Sequence, residues 1–205
     1  MNSIKKKFYK NSIKGENIMI SIIYGGNQSG TCFDLYQSIL QKLNKANTHI
    51  FNLQQMKLPL ILKNGYYSEP TKQHQYIINA LNESETLVFI YPLYWFNVPP
   101  IMKSFIDQAF WPENAFSFKR KQYFKKGLWK DKKAIILYTQ GGPEIFHKLK
   151  KRMGYHVLKY PLNLAGIYNI STYHLDNINR SKNTKENNNK KINQLTRKVM
   201  KNLGL

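Results

Sequence analysis

One cysteine, Cys32, stands in a chain of 205 residues. Its solitude excludes an intramolecular disulfide and any thiolate cluster with metal-binding spacing, and a reducing cytoplasm is the expected setting. Acidic residues are scarce, since 11 Asp and Glu face 32 Lys and Arg for a formal net charge of +21. Long apolar runs are missing too, and none approaches the roughly 18 residues that a membrane-spanning helix needs. The first residues carry Lys5, Lys6, Lys7, Lys10, Lys14 and Glu16 without a continuous apolar segment, so no secretory signal is expected there. Also absent are a Gly-Lys-Ser/Thr phosphate loop, which disfavours nucleoside triphosphate hydrolysis, and any nucleophile–base triad or metal site.

The excess of positive charge is spread over the N-terminal tail, the segment from Lys119-Arg120-Lys121 to Lys125-Lys126, the stretch Lys148 to Arg152 and the C-terminal tail. No helix-turn-helix, zinc or RNA-binding signature accompanies it, and the chain is rich in Asn and Ile as well as Lys. The charge therefore reads as compositional bias on solvated faces, and no nucleic-acid partner is expected. Residues 1–16 are expected to be a basic, disordered extension, and residues 17–205 one domain with a sizeable core.

What is present is an alternation of strand and helix. Ile18 to Tyr24, Thr86 to Tyr91 and Lys133 to Thr139 are apolar and β-branched without alternation, as strands covered on both faces require. His49 to Leu53 and Ile170 to Leu175 add two shorter strands. Helices are expected from about Cys32 to Leu43, Thr71 to Leu81, Glu144 to Leu158, and over the C-terminal stretch carrying Ile192, Leu195, Val199 and Leu203. A further helix starts at Pro99-Pro100, with Ile101, Met102, Phe105, Ile106 and Ala109 on one face. Five strands with helical crossovers imply a right-handed, doubly wound parallel sheet whose ligand edge gathers the loops after strands one, three and four.

Each of those loops has its own chemistry. Gly25-Gly26-Asn27-Gln28-Ser29-Gly30-Thr31 leaves a strand and opens a helix, where backbone N–H groups and the hydroxyls of Ser29 and Thr31 can meet a phosphate. The same residues also fit an ordinary turn with Thr31 as helix N-cap. Pro92-Leu93-Tyr94-Trp95-Phe96 joins strand to helix through aromatics that have no evident core to enter, which makes a flat apolar pocket. Thr139-Gln140-Gly141-Gly142-Pro143 places paired glycines after a strand, suited either to close approach of a ligand to backbone N–H groups or to a plain left-handed turn.

Together these residues resemble the NAD(P)H:quinone oxidoreductase family of flavodoxin-like flavoproteins, which includes the small bacterial members that accompany glutathione-gated potassium efflux systems. Pro92-Leu93-Tyr94-Trp95-Phe96 with Val98-Pro99, Ile101, Lys103, Asp107 and Phe110 is similar to that family's most specific motif. Thr139-Gln140-Gly141-Gly142-Pro143-Glu144 resembles its Thr-Thr-Gly-Gly-Pro-Glu loop, and Leu53 to Pro59 and Gly127-Leu128 through Ala134 match in support. The likeness covers roughly residues 17 to 175. It implies a flavodoxin-like five-stranded doubly wound sheet of order 2-1-3-4-5 with helices on both faces.

Carried over residue by residue, the resemblance implies that Ser29, Gly30, Thr31 and Cys32 bind the flavin phosphate. Pro92, Leu93, Tyr94, Trp95 and Phe96 would flank the isoalloxazine, and Thr139, Gln140, Gly141 and Gly142 would bind its pyrimidine end. Gln140 replaces the family's second threonine, and His147 stands where a tyrosine is common near the substrate, so His147 is the candidate proton donor, the alternative being an exposed histidine on a basic helix. FMN is the expected cofactor and FAD the alternative, with NAD(P)H as co-substrate. The implied reaction passes a hydride from NAD(P)H through the flavin to a quinone or similar acceptor in ping-pong fashion. A regulatory flavoprotein subunit of a potassium efflux system and a flavodoxin-type electron carrier are the alternatives, although carriers of that kind are usually acidic. The aromatic segment holding Trp111, Phe116, Phe118, Tyr123, Phe124 and Trp129 is expected at the interface of a homodimer in which the partner completes the site, with a local lid as the other reading.

Overall fold

The computed structural model describes residues 18–67, 69–118, 127–149, 152–178 and 185–205, with the backbone alone at His147. The N-terminal extension and Tyr123 and Phe124 of the aromatic segment lie outside the described residues. Five strands, β1 Ile20–Tyr24, β2 Thr48–Asn52, β3 Thr86–Pro92, β4 Lys133–Thr139 and β5 Asn169–Leu175, pair in parallel in the order 2-1-3-4-5. That is the expected order, and it places β1, β3 and β4 side by side at the centre.

Alternation along the buried strands builds a core on each face of the sheet. Ile23, Phe89, Tyr91, Ile136 and Tyr138 point to one side, where α2 (Lys72–Glu83), α3 (Pro100–Ala109) and α5 (Met153–Leu164) cover them. Ile22, Tyr24, Val88, Ile90, Ile135 and Leu137 point to the other, against α1 (Thr31–Leu40) and α6 (Lys185–Leu203). The apolar stripe Ile192, Leu195, Val199 and Leu203 is buried on α6 as its spacing predicts. α2 starts on a capping box in which Thr71 accepts from the His74 backbone and the His74 side chain answers to the Thr71 N–H.

Three expectations need correction. The helix expected over Glu144 to Leu158 is two, α4 (Glu144–Leu149) and α5, with Arg152 in the left-handed region at φ 50° between them. Gly30, not Thr31, caps α1, at φ 87° and with no side-chain cap. Trp111 and Trp129 of the aromatic segment turn inward: Trp129 meets Phe110 edge-on and donates its indole N–H to Asn82, while Trp111 packs edge-on against Tyr66. Phe118 stays 68% exposed and Phe116 is half-buried.

Gly127 ties this segment to the end of α5. A methyl group there would overlap the backbone of Leu164 and Ala165, and the adjoining Trp129 N–H donates to the Ala165 carbonyl at 2.8 Å. Because backbone and not a flexible side chain fills the space, Gly127→Ala should cost about 1–3 kcal/mol or more. Thermal unfolding should then move down by roughly 2–4 °C per kcal/mol for a chain of this size. A Tm equal to that of the parent would refute the close approach.

Candidate functional site

The carboxyl ends of β1, β3 and β4 bring the three expected loops to one edge. Gly25 follows β1 and donates its N–H to Ile90 of β3 at 3.0 Å, while Leu93 after β3 donates to Thr139 of β4 at 2.8 Å. The loops are therefore bonded to one another in sheet register. Gly25 and Gly26 are buried, and a Cβ would lie 2.9 Å from Met102 Cε at the first and 2.5 Å from the Tyr24 hydroxyl at the second. Ser29, Gly30 and Thr31 follow at the exposed start of α1, where backbone N–H groups and the helix dipole favour an anion.

Pro92 closes β3 and is buried, as is Leu93. Beyond them Tyr94 and Asn97 exchange backbone hydrogen bonds at 3.0 and 2.9 Å, closing a two-residue turn. Trp95 and Phe96 occupy its centre at φ 48° and 62°, values that turns of this kind usually give to Asn or Gly. Trp95 is 95% exposed. A bulky aromatic in a left-handed conformation with no packing partner among the described residues is held for something other than the core.

Thr139 ends β4 and Gln140 follows it, both buried, and the Gln140 N–H donates to Leu175 at 2.9 Å. Its carboxamide nitrogen and oxygen are buried without a hydrogen-bond partner among the described residues. Gly141 and Gly142 follow, with the Gly142 carbonyl accepting from the Asn177 N–H at 3.1 Å. Among the described residues the left-handed glycines are Gly30, Gly65, Gly166 and Gly204, so the left-handed turn weighed for Gly141-Gly142 is not what this loop uses. His147 falls on α4 just beyond, and its side chain lies outside the described residues.

Cys32 is buried behind the first loop, between Tyr24 and Thr139. Burial raises its pKa to about 12, and the two neighbouring hydroxyls only partly offset that. The thiol is neutral and shielded, a packing group and not a nucleophile. Burial likewise pushes the Tyr24 phenol far up, and its ring stacks on Tyr36 at 4.2 Å. Side-chain roles that the sequence did not single out fix the first loop: the Tyr24 hydroxyl donates to the Asn27 carbonyl, Asn27 Nδ2 donates to Tyr94 at 3.1 Å, and Gln28 pairs with Asn52 and Gln54. Amides clustered at the carboxyl end of neighbouring parallel strands are the signal that would have found them.

Beside the third loop, Glu144 gathers Lys148 at 3.2 Å, Arg152 at 3.7 Å and His174 at 3.8 Å, with His174 stacked on Tyr138. Burial lowers the His174 pKa below 6.5, against the opposing pull of Glu144 and Asp176. A histidine depressed in the folded state binds its proton more readily when unfolded, so stability is full above about pH 6.5 and falls as pH drops from there through the folded pKa. Thermal unfolding should show that loss, and His174→Gln should flatten it. An unchanged slope in the variant would place the titration elsewhere.

Next to the second loop a cavity of about 850 Å³ opens between α3 and α5, lined among others by Asn97, Pro100, Phe116, Phe118, Tyr160 and Leu164. It begins where the Trp95–Phe96 turn ends. No helix among the described residues is long and apolar enough to cross a membrane, and no cluster of metal ligands occurs among them.

A family model described as a flavodoxin-like fold matches residues 19–199. The chain is 31% identical over 89 residues to NAD(P)H dehydrogenase (quinone) 1 of Cavia porcellus, a match covering 43% of this chain and 32% of that protein. It is 30% identical over 114 residues to the FMN-dependent NADH:quinone oxidoreductase of Beijerinckia indica, over 54% of each chain. These matches span about a third to a half of the relatives' lengths. The crystal structure of an FMN-dependent NADH-azoreductase from Bacillus anthracis in complex with FMN superposes with a TM-score of 0.67 at 18% identity, covering 89% of this chain and 99% of that one.

Proposed function

The chain belongs to the flavodoxin-like fold family, and from that premise we propose that it is an FMN-dependent NAD(P)H oxidoreductase reducing a quinone or a comparable planar acceptor. The observation that carries this reading is the convergence on one sheet edge of an exposed helix N-terminus, an exposed indole plate and a buried carboxamide without a partner among the described residues. A flavin mononucleotide asks for those three things: a seat for one phosphate, an apolar surface for a flat ring, and polar groups for its pyrimidine edge. Gly25 and Gly26 have no space for a side chain, since a Cβ would overlap Met102 or Tyr24, and this keeps the backbone of the loop close against the sheet edge. The names of the quinone-reducing relatives and of the FMN-bound azoreductase support the same reading.

Bound FMN would supply the hydride-accepting ring. The chain's own residues do the rest: Ser29, Gly30 and Thr31 hold the phosphate through hydroxyl and backbone donors, and the Pro92–Phe96 segment orients the ring. The Thr139–Gly142 loop offers the Gln140 carboxamide and the N–H groups of Gly141 and Gly142 where negative charge grows. His147 is assigned the proton for the reduced acceptor, and His147→Ala should lower turnover roughly a hundredfold. A buried, neutral Cys32 leaves nothing on the chain for competing thiol chemistry.

Nicotinamide and acceptor share one exposed face beside Trp95, so they occupy it in turn. A second copy of this chain is assigned to the groove between α3 and α5, because that groove continues directly from the ring-binding turn and keeps Phe118 and Leu164 exposed. Purified protein should carry one flavin per chain, identified as FMN after extraction, and initial-rate lines at several fixed quinone concentrations should be parallel. Colourless protein that takes up neither FMN nor FAD would overturn the function. Light scattering that reports a fully active monomer would overturn the assembly alone.

A further inference from the structure

The loop between β1 and α1 contains few groups able to hold its own shape. Gly25, Gly26 and Gly30 make up half of residues 25–30, Gly30 stands at φ 87°, and the cap of α1 involves no side chain. Glycine-rich backbone is costly to order, and a loop that must present several N–H groups to one anion needs to be ordered before the anion arrives. On one flank the Tyr24 hydroxyl and Tyr94 hold Asn27. The other flank is held from β2, a strand that contributes none of the three ligand loops.

Asn52 is the last residue of β2 and only 8% exposed. Its Oδ1 accepts from Gln28 Nε2 at 3.0 Å, and its Nδ2 donates back to Gln28 Oε1 at 3.3 Å, closing a reciprocal amide pair. Gln54 Oε1 takes a second hydrogen bond from the same Gln28 nitrogen at 3.3 Å. The base of the pair is rigid, because β1 and β2 are in parallel register through Tyr24 and Asn52 and the Leu53 N–H donates to the Tyr24 carbonyl at 3.0 Å. Gln28 immediately precedes Ser29, so fixing its side chain fixes the backbone that leads into the Ser29–Thr31 donors.

We propose that Asn52 is a positioning residue for the phosphate loop: acting through Gln28, it pre-sets the donors that receive the flavin's phosphate monoester, without touching the flavin. This rests on the flavin reading given above and deepens it. The pair needs a donor and an acceptor on each side, which asparagine supplies and leucine of similar bulk does not. Aspartate keeps the acceptor for Gln28 Nε2 but sets an anion against Gln28 Oε1.

The test compares FMN with riboflavin, which has the same ring and no phosphate, by fluorescence titration of the apoprotein. Wild type should prefer FMN. Asn52→Leu should weaken FMN by about tenfold or more while riboflavin moves less than about twofold, because the pre-set donors serve the phosphate alone. Gln28→Ala should do the same, and the double variant should be no worse than the stronger single one, since both changes remove one interaction. Asn52→Asp should fall between wild type and Asn52→Leu. A merely structural role would weaken both ligands in parallel, and that outcome, or an unchanged FMN affinity, would overturn the proposal while leaving the flavin reading intact. Should Asn52→Leu fail to fold, the exposed Gln28→Ala carries the same comparison. Wild-type protein that binds neither ligand would overturn the flavin reading and this inference together.

Discussion

Replacing Ser29 with alanine and Thr31 with valine in one chain should release FMN, raising its Kd by at least about a hundredfold, while the apoprotein unfolds at nearly the parent temperature. A hydrogen bond to a charged group contributes about 1.5–3 kcal/mol, or about ten- to a hundredfold in affinity. Two hydroxyls on one phosphate should exceed either alone without adding in full. The fold has little stake in either side chain. Ser29 is exposed, Thr31 is half-buried, and the cap of α1 rests on Gly30 without a side-chain bond. Substituting exposed residues of this kind usually changes stability by less than about 0.5 kcal/mol. Fluorescence titration and thermal unfolding measure the two effects separately. Tight FMN retention in the double variant would move the phosphate seat away from this loop.

The contrast between these hydroxyls and the Gln28–Asn52 pair explains what was legible in the chain. Strands β1, β3 and β4 could be read because they are apolar on both faces, and a strand covered by helices on both sides has no other pattern available. Their order and the gathering of three loops follow from the crossover rule and from motif resemblance. The break at Arg152 could not be read, since the left-handed residue is itself an arginine and the nearby Gly154 lies inside α5 and not at the break. Trp111 and Trp129 could not be assigned to the core because their partners, Tyr66, Phe110 and Asn82, come from other parts of the chain. The amide pair joins positions that only the β1–β2 register brings together. Residues acting on a ligand announce themselves by type and motif, whereas those acting through a neighbour emerge from the packing.

Trp95 gives the second large effect, and its two parts should run in opposite directions. At φ 48° it sits where a side chain pays about 1–2 kcal/mol relative to the right-handed region, and at 95% exposure its indole gains almost nothing from the fold. Glycine removes the steric cost but brings its own entropic cost of about 0.5–1 kcal/mol. Trp95→Gly should therefore leave the protein as stable as the parent or up to about 1.5 kcal/mol more stable, a rise in Tm of no more than roughly 3–6 °C. Catalysis should suffer instead. Covering a large aromatic surface is worth about 1.5–3 kcal/mol, and that surface faces the place assigned to nicotinamide and acceptor, so kcat/KM should fall by about ten- to a hundredfold. Trp95→Phe, which keeps a flat ring, should recover most of the rate and none of the stability. If Trp95→Gly were less stable and equally active, the indole would be a structural element of the turn, and the apolar plate would have to be sought in Tyr94 or Phe96.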